Sequence, residues 1–450
     1  MRRATGFVLC LVLALSSWAQ EPRTEITKWQ DGKQAAISLT FDDSTENHFR
    51  IAVPLLNERG MKATFFVITA EIPDSRYSPK LIGRPVMDII RESGKIATNK
   101  DNVLERTTML RYLRQVQEVP AISDFNPQRA GRAYEREQYA ELFPMVDAAL
   151  AKLRASGQTY HSDSPPIPGK YNAPKYLTRE GVSWEDFRRY AAQGHEFGSH
   201  TVSHPYMSAL DEANNVYEIE ASVREIGEKL GSEHTFSIEC PNGIHDPRLI
   251  PYVRGRVPLA RNWVFDDFMD GIMRGDERDP GTAKNAYVQW QRGPLSKTPF
   301  ETMTGWVEKS VDHGLWLVLV IQGIEGIGWE ALPTERVRAY CDYIKQREDR
   351  IWVATIQEGA KYARERMSSK VTSRRNGNAI EVSVSHSLDP KLYNLPLTAK
   401  TTIPNDWKVV RLRQGGSNQW LPVHRTDGET YVQYRISPDG TTATLESGAN

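Results

Sequence analysis

Short apolar runs alternate with amphipathic stretches along the first part of the chain. Residues 37–41 form an apolar run, residues 51–59 have the spacing of a helix that Gly60 would end, and residues 62–68 form a second apolar run. Each apolar run is typical of a buried strand. A strand, a helix and a second strand at this spacing predict a βαβ unit and therefore a parallel sheet.

The same alternation continues along the chain and predicts an α/β fold. We predict strands at residues 196–199, 235–240, 316–321 and 351–354, and helices at residues 184–193, 214–230, 335–346 and 357–367. Residues 71–181 are more polar, with helical patterns near residues 81–92, 103–117 and 133–155 and a loop rich in Pro and Ser at residues 162–169. Residues 276–297 are predicted to be a loop.

From about residue 371 the pattern changes to strict alternation. Residues 380–384, 407–412 and 431–436 alternate apolar and polar side chains, and glycine-containing turns separate them. The pattern predicts a small β-sandwich domain at residues 371–450, after a larger domain at residues 21–370. Four aromatic side chains of this domain could stack on sugars, although aromatic residues of a small β domain more often pack in its core. They are Trp407, Trp420, Tyr431 and Tyr434.

The charge and the N-terminus narrow the class of protein. The 450-residue chain has 57 basic and 57 acidic side chains, so no net field draws it to nucleic acid or to a membrane surface. Residues 1–20 combine Arg2 and Arg3, a short apolar run and small residues, which predicts a signal peptide and export to the periplasm or the outside. No segment is predicted to span a membrane. Cys240 and Cys341 could pair, but two cysteines do not form a disulfide framework.

Two adjacent carboxylates, Asp42 and Asp43, follow the first predicted strand. Active sites of α/β barrels lie at the carboxyl ends of their strands, so these carboxylates are candidate functional groups. Successive side chains of a strand point to opposite faces, so one could bind a cation while the other accepts a proton. The alternative is an ordinary Asp-rich turn.

A histidine pair, His200 and His204, follows the strand predicted at residues 196–199. If this segment is a helical turn, the spacing of four residues places both imidazoles on one face, where they can share one ion. Two histidines and one carboxylate form a divalent-metal set that leaves positions open for water and substrate. Asp43, His200 and His204 are therefore the candidate metal ligands.

These residues resemble a known family. Thr40-Phe41-Asp42-Asp43 is similar to the first motif of the polysaccharide deacetylases, also called the NodB-homology or carbohydrate esterase family 4 fold, and residues 200–204 (HTVSH) are similar to the second. The resemblance covers about residues 37–367. It implies a distorted (β/α) barrel into which residues 71–181 are inserted, either as structural decoration or as a wall or lid of the cleft.

The resemblance also implies an activity, which is hydrolysis of N- or O-acetyl groups of a carbohydrate. Asp43, His200 and His204 would hold a divalent ion, with Zn²⁺ the expected one, and Asp42 would act as the catalytic base. The implied partner is an acetylated carbohydrate.

The third motif is only partly present. Pro241 and Gly243 match it and are candidate substrate contacts through backbone N–H groups, but its usual Arg and Tyr are missing, and a plain turn is the alternative. Arg261 lies where related sequences carry a basic residue that orients the catalytic Asp, although a surface arginine would fit as well. Trp329 is a further candidate substrate contact.

Gln322 lies at the position where members of the family usually have a histidine that acts as the general acid. An amide does not exchange a proton near neutral pH, so the expected general acid is absent from that position. Three outcomes stay open: His245 or a water supplies the proton, the enzyme is slow, or the protein only binds.

Other functions are compatible with the same residues. A secreted carbohydrate-binding protein of the same fold is the first alternative, and Gln322 favours it. A non-haem Fe(II) oxygenase is the second, because two histidines and a carboxylate also make its facial triad. The third is a structural role without any metal.

Overall fold

The computed structural model describes residues 21–162, 181–243, 246–261, 263–264, 270–272, 288–426 and 428–448. They form two compact units. The larger unit contains Thr27–Ser368 and Ser387–Leu395, and the smaller one contains Ser369–His386, Pro396–Asn450 and the chain up to Ile26. The predicted signal peptide, the loop residues 163–169 and His245 lie outside the described residues.

A ten-stranded sheet forms the centre of the larger unit. The chain's first strand, β1 (Thr24–Ile26), belongs to the smaller unit, so the sheet begins with β2. The sheet has the order β7-β6-β5-β4-β3-β2-β10-β9-β8, with β11 also paired to β2. Its strands are β2 (Ala35–Phe41), β3 (Thr64–Val67), β4 (Glu196–Ser199), β5 (Ser237–Ile238), β6 (Leu259–Ala260), β7 (Trp263–Val264), β8 (Asp270–Ile272), β9 (Val288–Arg292), β10 (Trp316–Ile321) and β11 (Ile351–Val353).

The strand pairs are parallel apart from the pair β6–β7. All seven residues of β2 are buried, as expected for a parallel strand with both faces covered. The sheet curls into a parallel half-barrel with helices around it, which confirms the predicted α/β class and the distorted barrel. The expectation of a plain loop at residues 276–297 is wrong in part, because β9 lies within it and pairs with β10.

Eleven α-helices occur among the described residues: α1 (Val53–Glu58), α2 (Val86–Glu92), α3 (Val103–Arg111), α4 (Pro127–Glu135), α5 (Tyr139–Ala155), α6 (Trp184–Ala192), α7 (Glu212–Leu230), α8 (Leu249–Arg254), α9 (Phe300–His313), α10 (Thr334–Lys345) and α11 (Ile356–Ser368). Helix α6 packs its aromatic face on the sheet, where Phe187 stacks on Phe197 at 4.6 Å between ring centroids. Phe49 and Phe65 extend this aromatic core.

The inserted segment has a hydrophobic core of its own, which helices α2 to α5 share. The single helix predicted at residues 133–155 is two helices. Helix α4 begins at Pro127, where the Asn126 side chain caps it, and ends at Glu135, shortly before Glu137 takes a left-handed backbone conformation with φ 53°. A non-glycine residue in that region ends a helix, so α5 starts afresh at Tyr139.

The smaller unit consists of two antiparallel sheets, with the orders β1-β14-β18-β17 and β12-β13-β19-β15-β16. Its further strands are β12 (Lys370–Asn376), β13 (Ala379–Ser385), β14 (Leu397–Thr402), β15 (Val409–Gln414), β16 (Ser417–Pro422), β17 (His424–Thr426), β18 (Glu429–Ile436) and β19 (Ala443–Ser447). Trp407 and Tyr434 are buried in this unit, whereas Trp420 is 60% exposed.

The domain boundaries differ from the expected ones at two places. Strand β1 pairs with β14, so the chain before Thr27 belongs with the β-sheets although the sequence analysis assigned it to the barrel. Ser387–Leu395 belongs with the barrel unit. Cys240 and Cys341 are both buried free thiols, so the possible pairing between them does not occur. Among the described residues, no helix combines the length and the hydropathy needed to cross a bilayer.

Gly198 in β4 allows the sheet to pack closely just before the histidine pair. A Cβ atom there would lie 2.7 Å from Phe66 Cε1 and 2.7 Å from Ser237 Oγ. We expect Gly198→Ala to lower the free energy of unfolding by about 1–3 kcal/mol, measured by urea denaturation, because overpacked cores carry this cost. Gly305→Ala is the control, since nothing lies within 4 Å of its Cβ position in α9, and it should stabilise the protein by about 0.5–1 kcal/mol. Equal effects of the two changes would contradict this packing account.

Candidate active site

Asp43, His200 and His204 converge at one edge of the sheet. Asp43 follows β2, and His200 follows β4, with only β3 between these parallel strands. The carboxyl ends of parallel strands meet at the same edge, so side chains 157 residues apart in sequence become neighbours. The Nε2 atoms of His200 and His204 lie 3.4 and 3.3 Å from Asp43 Oδ1.

The three side chains fit a divalent ion. Their ligand atoms all lie within 4.8 Å of one another. Two atoms that each lie about 2.0–2.2 Å from a tetrahedral ion are about 3.3–3.5 Å apart, which is the separation between Asp43 Oδ1 and each imidazole. The side chain of Asp43 is 26% exposed, so one side of the set stays open to the cleft.

The histidine pair is not held on a helix, so the expected helical turn is wrong. Residues 201–203 form a turn in which Thr201 has φ 67°, and His204 has φ 50°. The Thr69 N–H donates to the Thr201 carbonyl, and the Glu218 carboxylate accepts from the Ser203 N–H at 2.8 Å. These bonds hold a backbone shape that non-glycine residues rarely adopt, as is common at functional sites.

A hydrogen bond behind His200 fixes its tautomer. His200 Nδ1 lies 2.7 Å from the Glu239 carbonyl oxygen, which can only accept, so Nδ1 carries the proton and Nε2 faces Asp43. Burial alone would lower the pKa of His200, but the carboxylates of Asp43, Asp42 and Glu239 outweigh it and raise this pKa to about 8. Burial raises the pKa of Asp43, but the two imidazoles hold it well below its usual range. The carboxylates around Asp43, His200 and His204 therefore favour the binding of a cation at this position.

Asp42 is buried beside this set and paired with Arg261. The guanidinium donates to both carboxylate oxygens, with Nη1 to Oδ1 at 2.6 Å and Nη2 to Oδ2 at 2.9 Å. Arg261 also pairs with Glu239 at 3.1 Å, and all three side chains are at most 5% exposed. Burial would lower the pKa of Arg261, but the two carboxylates raise it above its usual value. Arg261 is therefore buried, and the alternative of a surface arginine is wrong.

Gln322 also lies against Asp42. Its side-chain Nε2 donates to Asp42 Oδ2 at 2.9 Å, and its backbone carbonyl accepts from His48 Nε2 at 2.5 Å. Burial lowers the pKa of His48 to about 4, so this imidazole is neutral and its proton sits on the nitrogen that faces the carbonyl. Gln322 is therefore held in place from two sides, at the position where the sequence analysis expected an acid in the family.

The segment that carries Pro241 and Gly243 forms a turn at the same edge of the sheet. The Gly243 N–H donates to the Cys240 carbonyl at 2.8 Å, and Pro241 has no N–H, so neither residue offers the backbone donor that the sequence analysis expected. Asn242 between them lines the cleft instead.

A cavity of about 400 Å³ opens over Asp43 and His204. Its lining comes from the inserted segment and from the loops that follow β2, β3, β4, β5 and β10 of the barrel: Asp43, Thr45, Ile68, Glu71, Gln115, Asn126, Pro127, Gln128, His204, Tyr206, Asn242, Gly328 and Trp329. Trp329, a predicted substrate contact, is 54% exposed in this lining. Pro241 and Gly243 do not line the cavity.

Sequence reasoning missed several residues that position the site. Glu239 lies near the C-terminal end of the strand predicted at residues 235–240, so its place at the same sheet edge as Asp42 was a usable signal. No local signal marks His48, Glu218 or Arg111, because each reaches the site through contacts with residues at least 15 positions away.

The family model described as Polysaccharide deacetylase matches residues 30–98 and 155–255. The two matched stretches contain Asp42, Asp43, His200 and His204, and most of the inserted segment separates them. Arg261 and Gln322 lie beyond the matched stretches.

One relative is a gellan lyase of a Bacillus species, which is 25% identical over 297 residues. The match covers 58% of this chain but only 11% of the relative, so the chain spans about a tenth of that protein's length.

Among solved structures, the chain is similar to a family 4 carbohydrate esterase from Bacillus anthracis, with 13% identity, a TM-score of 0.33 and coverage of 75% of this chain and 86% of the other. It is also similar to a peptidoglycan deacetylase from Bacillus subtilis, with 13% identity, a TM-score of 0.32 and coverage of 76% and 96%. The match to the family model, together with the half-barrel, confirms the resemblance to the polysaccharide deacetylase family that the sequence motifs indicate.

Proposed function

We propose that this protein is an exported, metal-dependent carbohydrate deacetylase that hydrolyses N- or O-acetyl groups of a polysaccharide or oligosaccharide. One observation carries the proposal. The side chains of Asp43, His200 and His204 converge beside Asp42, a buried carboxylate that is not one of the three candidate ligands and is bonded to Arg261. Export is proposed from the pattern of residues 1–20.

The donor set suits Zn²⁺, since two imidazole nitrogens and one carboxylate oxygen are typical ligands of a catalytic zinc with open positions. A divalent ion held there would polarise the acetyl carbonyl and make a water acidic enough to attack near neutral pH. The Glu239 carbonyl keeps His200 Nε2 directed at the ion's position.

Asp42 is the group of this chain that would take the proton from the attacking water. Its carboxylate is held by Arg261 and Gln322 in one orientation, so it does not have to be ordered when the substrate arrives. Arg261 also keeps Asp42 from pairing with the cation, because the guanidinium already neutralises it.

The proton for the leaving group has no donor at position 322. Gln322 can hydrogen-bond but cannot transfer a proton, and general acid catalysis typically contributes about 10²–10⁴-fold. An O-acetyl ester needs this proton less than an N-acetyl amide, since an alkoxide leaves more easily than an amine anion. We therefore expect the lack of a general-acid histidine to slow hydrolysis of N-acetyl substrates more than hydrolysis of O-acetyl substrates.

The second candidate function is a carbohydrate-binding protein that has kept the site but turns over little or nothing. The observation that favours it is the amide of Gln322 bonded to Asp42. Zinc binding without acetate release from any acetylated glycan would support this function.

Removal of one metal ligand should abolish both zinc binding and hydrolysis. We expect Asp43→Ala to lower acetate release by about 10²-fold or more, because the ion's stabilisation of charge is worth several kcal/mol. Zinc content of the purified protein and acetate release from acetylated xylan and chitooligosaccharides, with and without chelator, are the measurements. Asp312→Ala, at an exposed position of α9, is the control. Acetate release that ignores both the chelator and Asp43→Ala would eliminate the metal mechanism.

Gln322→His should restore an acid at the site. We expect the rate on an N-acetyl substrate to rise by about tenfold or more, and the rate on an O-acetyl substrate to rise less. Gln322→Ala is the matched control, because it removes the hydrogen bond to Asp42 without adding an acid. If Gln322→His leaves the N-acetyl rate unchanged, the proton comes from another group.

Arg261 should be needed for both stability and rate. Arg261→Met leaves the carboxylates of Asp42 and Glu239 buried without their cation, so we expect a loss of about 3–5 kcal/mol in unfolding free energy. Arg261→Lys keeps the charge but not the two parallel bonds, so it should lose less stability while the rate still falls. Urea denaturation and acetate release test both changes.

The control for Arg261 is Arg338→Met, which removes an exposed ion pair to Glu335 and should cost less than about 1 kcal/mol. An Arg261→Met variant as stable as the Arg338→Met variant would show that the buried pair does not hold the site.

A further inference from the structure

The inserted segment forms one wall of the cavity above the metal set. Gln115, Asn126, Pro127 and Gln128 line the cavity together with Asp43 and His204. Glu71, at the start of the insertion, also lines it, and the other lining residues come from the barrel. Gln128 Nε2 donates to Asn242 Oδ1 at 3.0 Å, so the wall is joined to the turn of the barrel beside it. The insertion is thus part of the cleft and not only decoration.

Two side-chain amides of this wall have their oxygens already engaged within the protein. Arg111 Nε donates to Gln115 Oε1 at 2.8 Å, and the Arg129 N–H donates to Asn126 Oδ1 at 3.0 Å. The amide orientations follow from these partners, since only the oxygens can accept from a guanidinium or a backbone N–H. Each residue therefore has its NH₂ group left to serve as a donor at the cavity.

Arg111 fixes this wall relative to the metal ligands. It is 3% exposed, and its Nη2 donates to the Ser203 carbonyl at 2.9 Å, one residue before His204. It also lies 3.7 Å from the carboxylate of Glu218, which accepts from the Ser203 N–H. One buried guanidinium thus holds both the Gln115 amide and the turn that carries His204.

The lining of the cavity offers no cationic side chain to an anionic group on the neighbouring sugar. Among the described lining residues the ionisable side chains are Asp43, Glu71, His204 and the phenol Tyr206, and no Lys or Arg lines the cavity. Away from the metal ion, a carboxylate or phosphate would lie near the buried carboxylate of Glu71 without a cationic side chain to pair with. Amide donors and the flat, half-exposed ring of Trp329 suit hydroxyl and acetamide oxygens on an uncharged sugar.

We propose that the insertion builds a sugar subsite beside the metal centre, in which the NH₂ groups of Gln115 and Asn126 bind a neutral, acetylated sugar residue next to the one that reacts. The proposal rests on the proposed function for the reacting residue. It assigns the insertion a binding role, and the ligand class is an uncharged oligosaccharide.

The test removes the NH₂ group of Gln115 or Asn126 and keeps the side-chain oxygen that accepts a hydrogen bond within the protein. Gln115→Glu still accepts from Arg111, and Asn126→Asp still caps α4, but neither carboxylate can donate. Gln138→Glu makes the same change at an exposed position of the insertion outside the cavity and is the control. The zinc-loaded full chain is assayed for kcat/KM on N-acetylated chitotetraose, on acetylated xylotetraose and on 4-nitrophenyl acetate, which is too small to reach a neighbouring subsite.

We expect the ratio of kcat/KM on the better tetrasaccharide to kcat/KM on the small ester to fall about 5- to 10-fold for each donor lost, mainly through KM, and to stay unchanged in Gln138→Glu. We also expect wild-type protein to prefer the neutral tetrasaccharide over an acetylated oligouronate of the same length. An unchanged ratio in both donor variants would overturn the subsite, and equal or better use of the oligouronate would overturn the neutral ligand class.

A failure of the proposed function is distinguishable from a failure of the subsite. If wild-type protein hydrolyses none of these substrates, including the small ester, the deacetylase proposal fails, and calorimetric binding of chitotetraose and xylotetraose decides the subsite. Binding that weakens 5- to 10-fold in Gln115→Glu and Asn126→Asp, but not in Gln138→Glu, supports it. No binding to wild type, or equal binding to all variants, overturns it.

Discussion

The bidentate pair between Arg261 and Asp42 is the interaction on which the site depends. Two adjacent carboxylates follow β2, and the buried one, Asp42, needs a positive charge beside it. Arg261 satisfies Asp42 with two bonds, which leaves Asp43 facing the two imidazoles and the ion they can hold. In the proposed function, this pair lets Asp42 serve as the proton acceptor while Asp43 serves as a metal ligand.

Further residues orient Arg261 and His200 through hydrogen bonds and ion pairs. Glu239 serves twice, since its carboxylate pairs with Arg261 and its carbonyl accepts from His200. Burial raises the pKa of Glu239, and the Arg261 guanidinium opposes this rise without cancelling it. Such partners set the orientation of ligands and are as necessary as the ligands themselves. The inserted segment takes part in the same support through Arg111, which links α3 to the turn before His204.

The sequence alone predicted six of the ten strands of the sheet, most of the helices around it and the three side chains that converge beside Asp42. Asp42 and Asp43 could be found because an apolar run that ends in carboxylates is a local signal, and the spacing of His200 and His204 is another. The helical turn was the wrong explanation for that spacing. Hydrogen bonds from Thr69 and Glu218 hold a left-handed turn instead, and no pattern of neighbouring residues encodes such long-range bonds.

Other features depend on contacts between distant residues and could not be predicted from local patterns. Strand β9 lies in a polar stretch and forms because β10 offers it a partner, and β1 joins a sheet whose other strands follow Leu397. The donor orientation of Gln115 depends on Arg111, four residues earlier, only because Arg111 is itself anchored across the fold at Ser203.

The proposed mechanism requires one divalent ion held by Asp43, His200 and His204 beside Asp42. X-ray absorption at the zinc edge of the zinc-loaded, full-length protein would detect these ligands. We expect one zinc per chain with imidazole scattering from two histidines and a first shell of only nitrogen and oxygen at about 2.0–2.2 Å. A first shell that contains sulfur, or one without imidazole scattering, would contradict it.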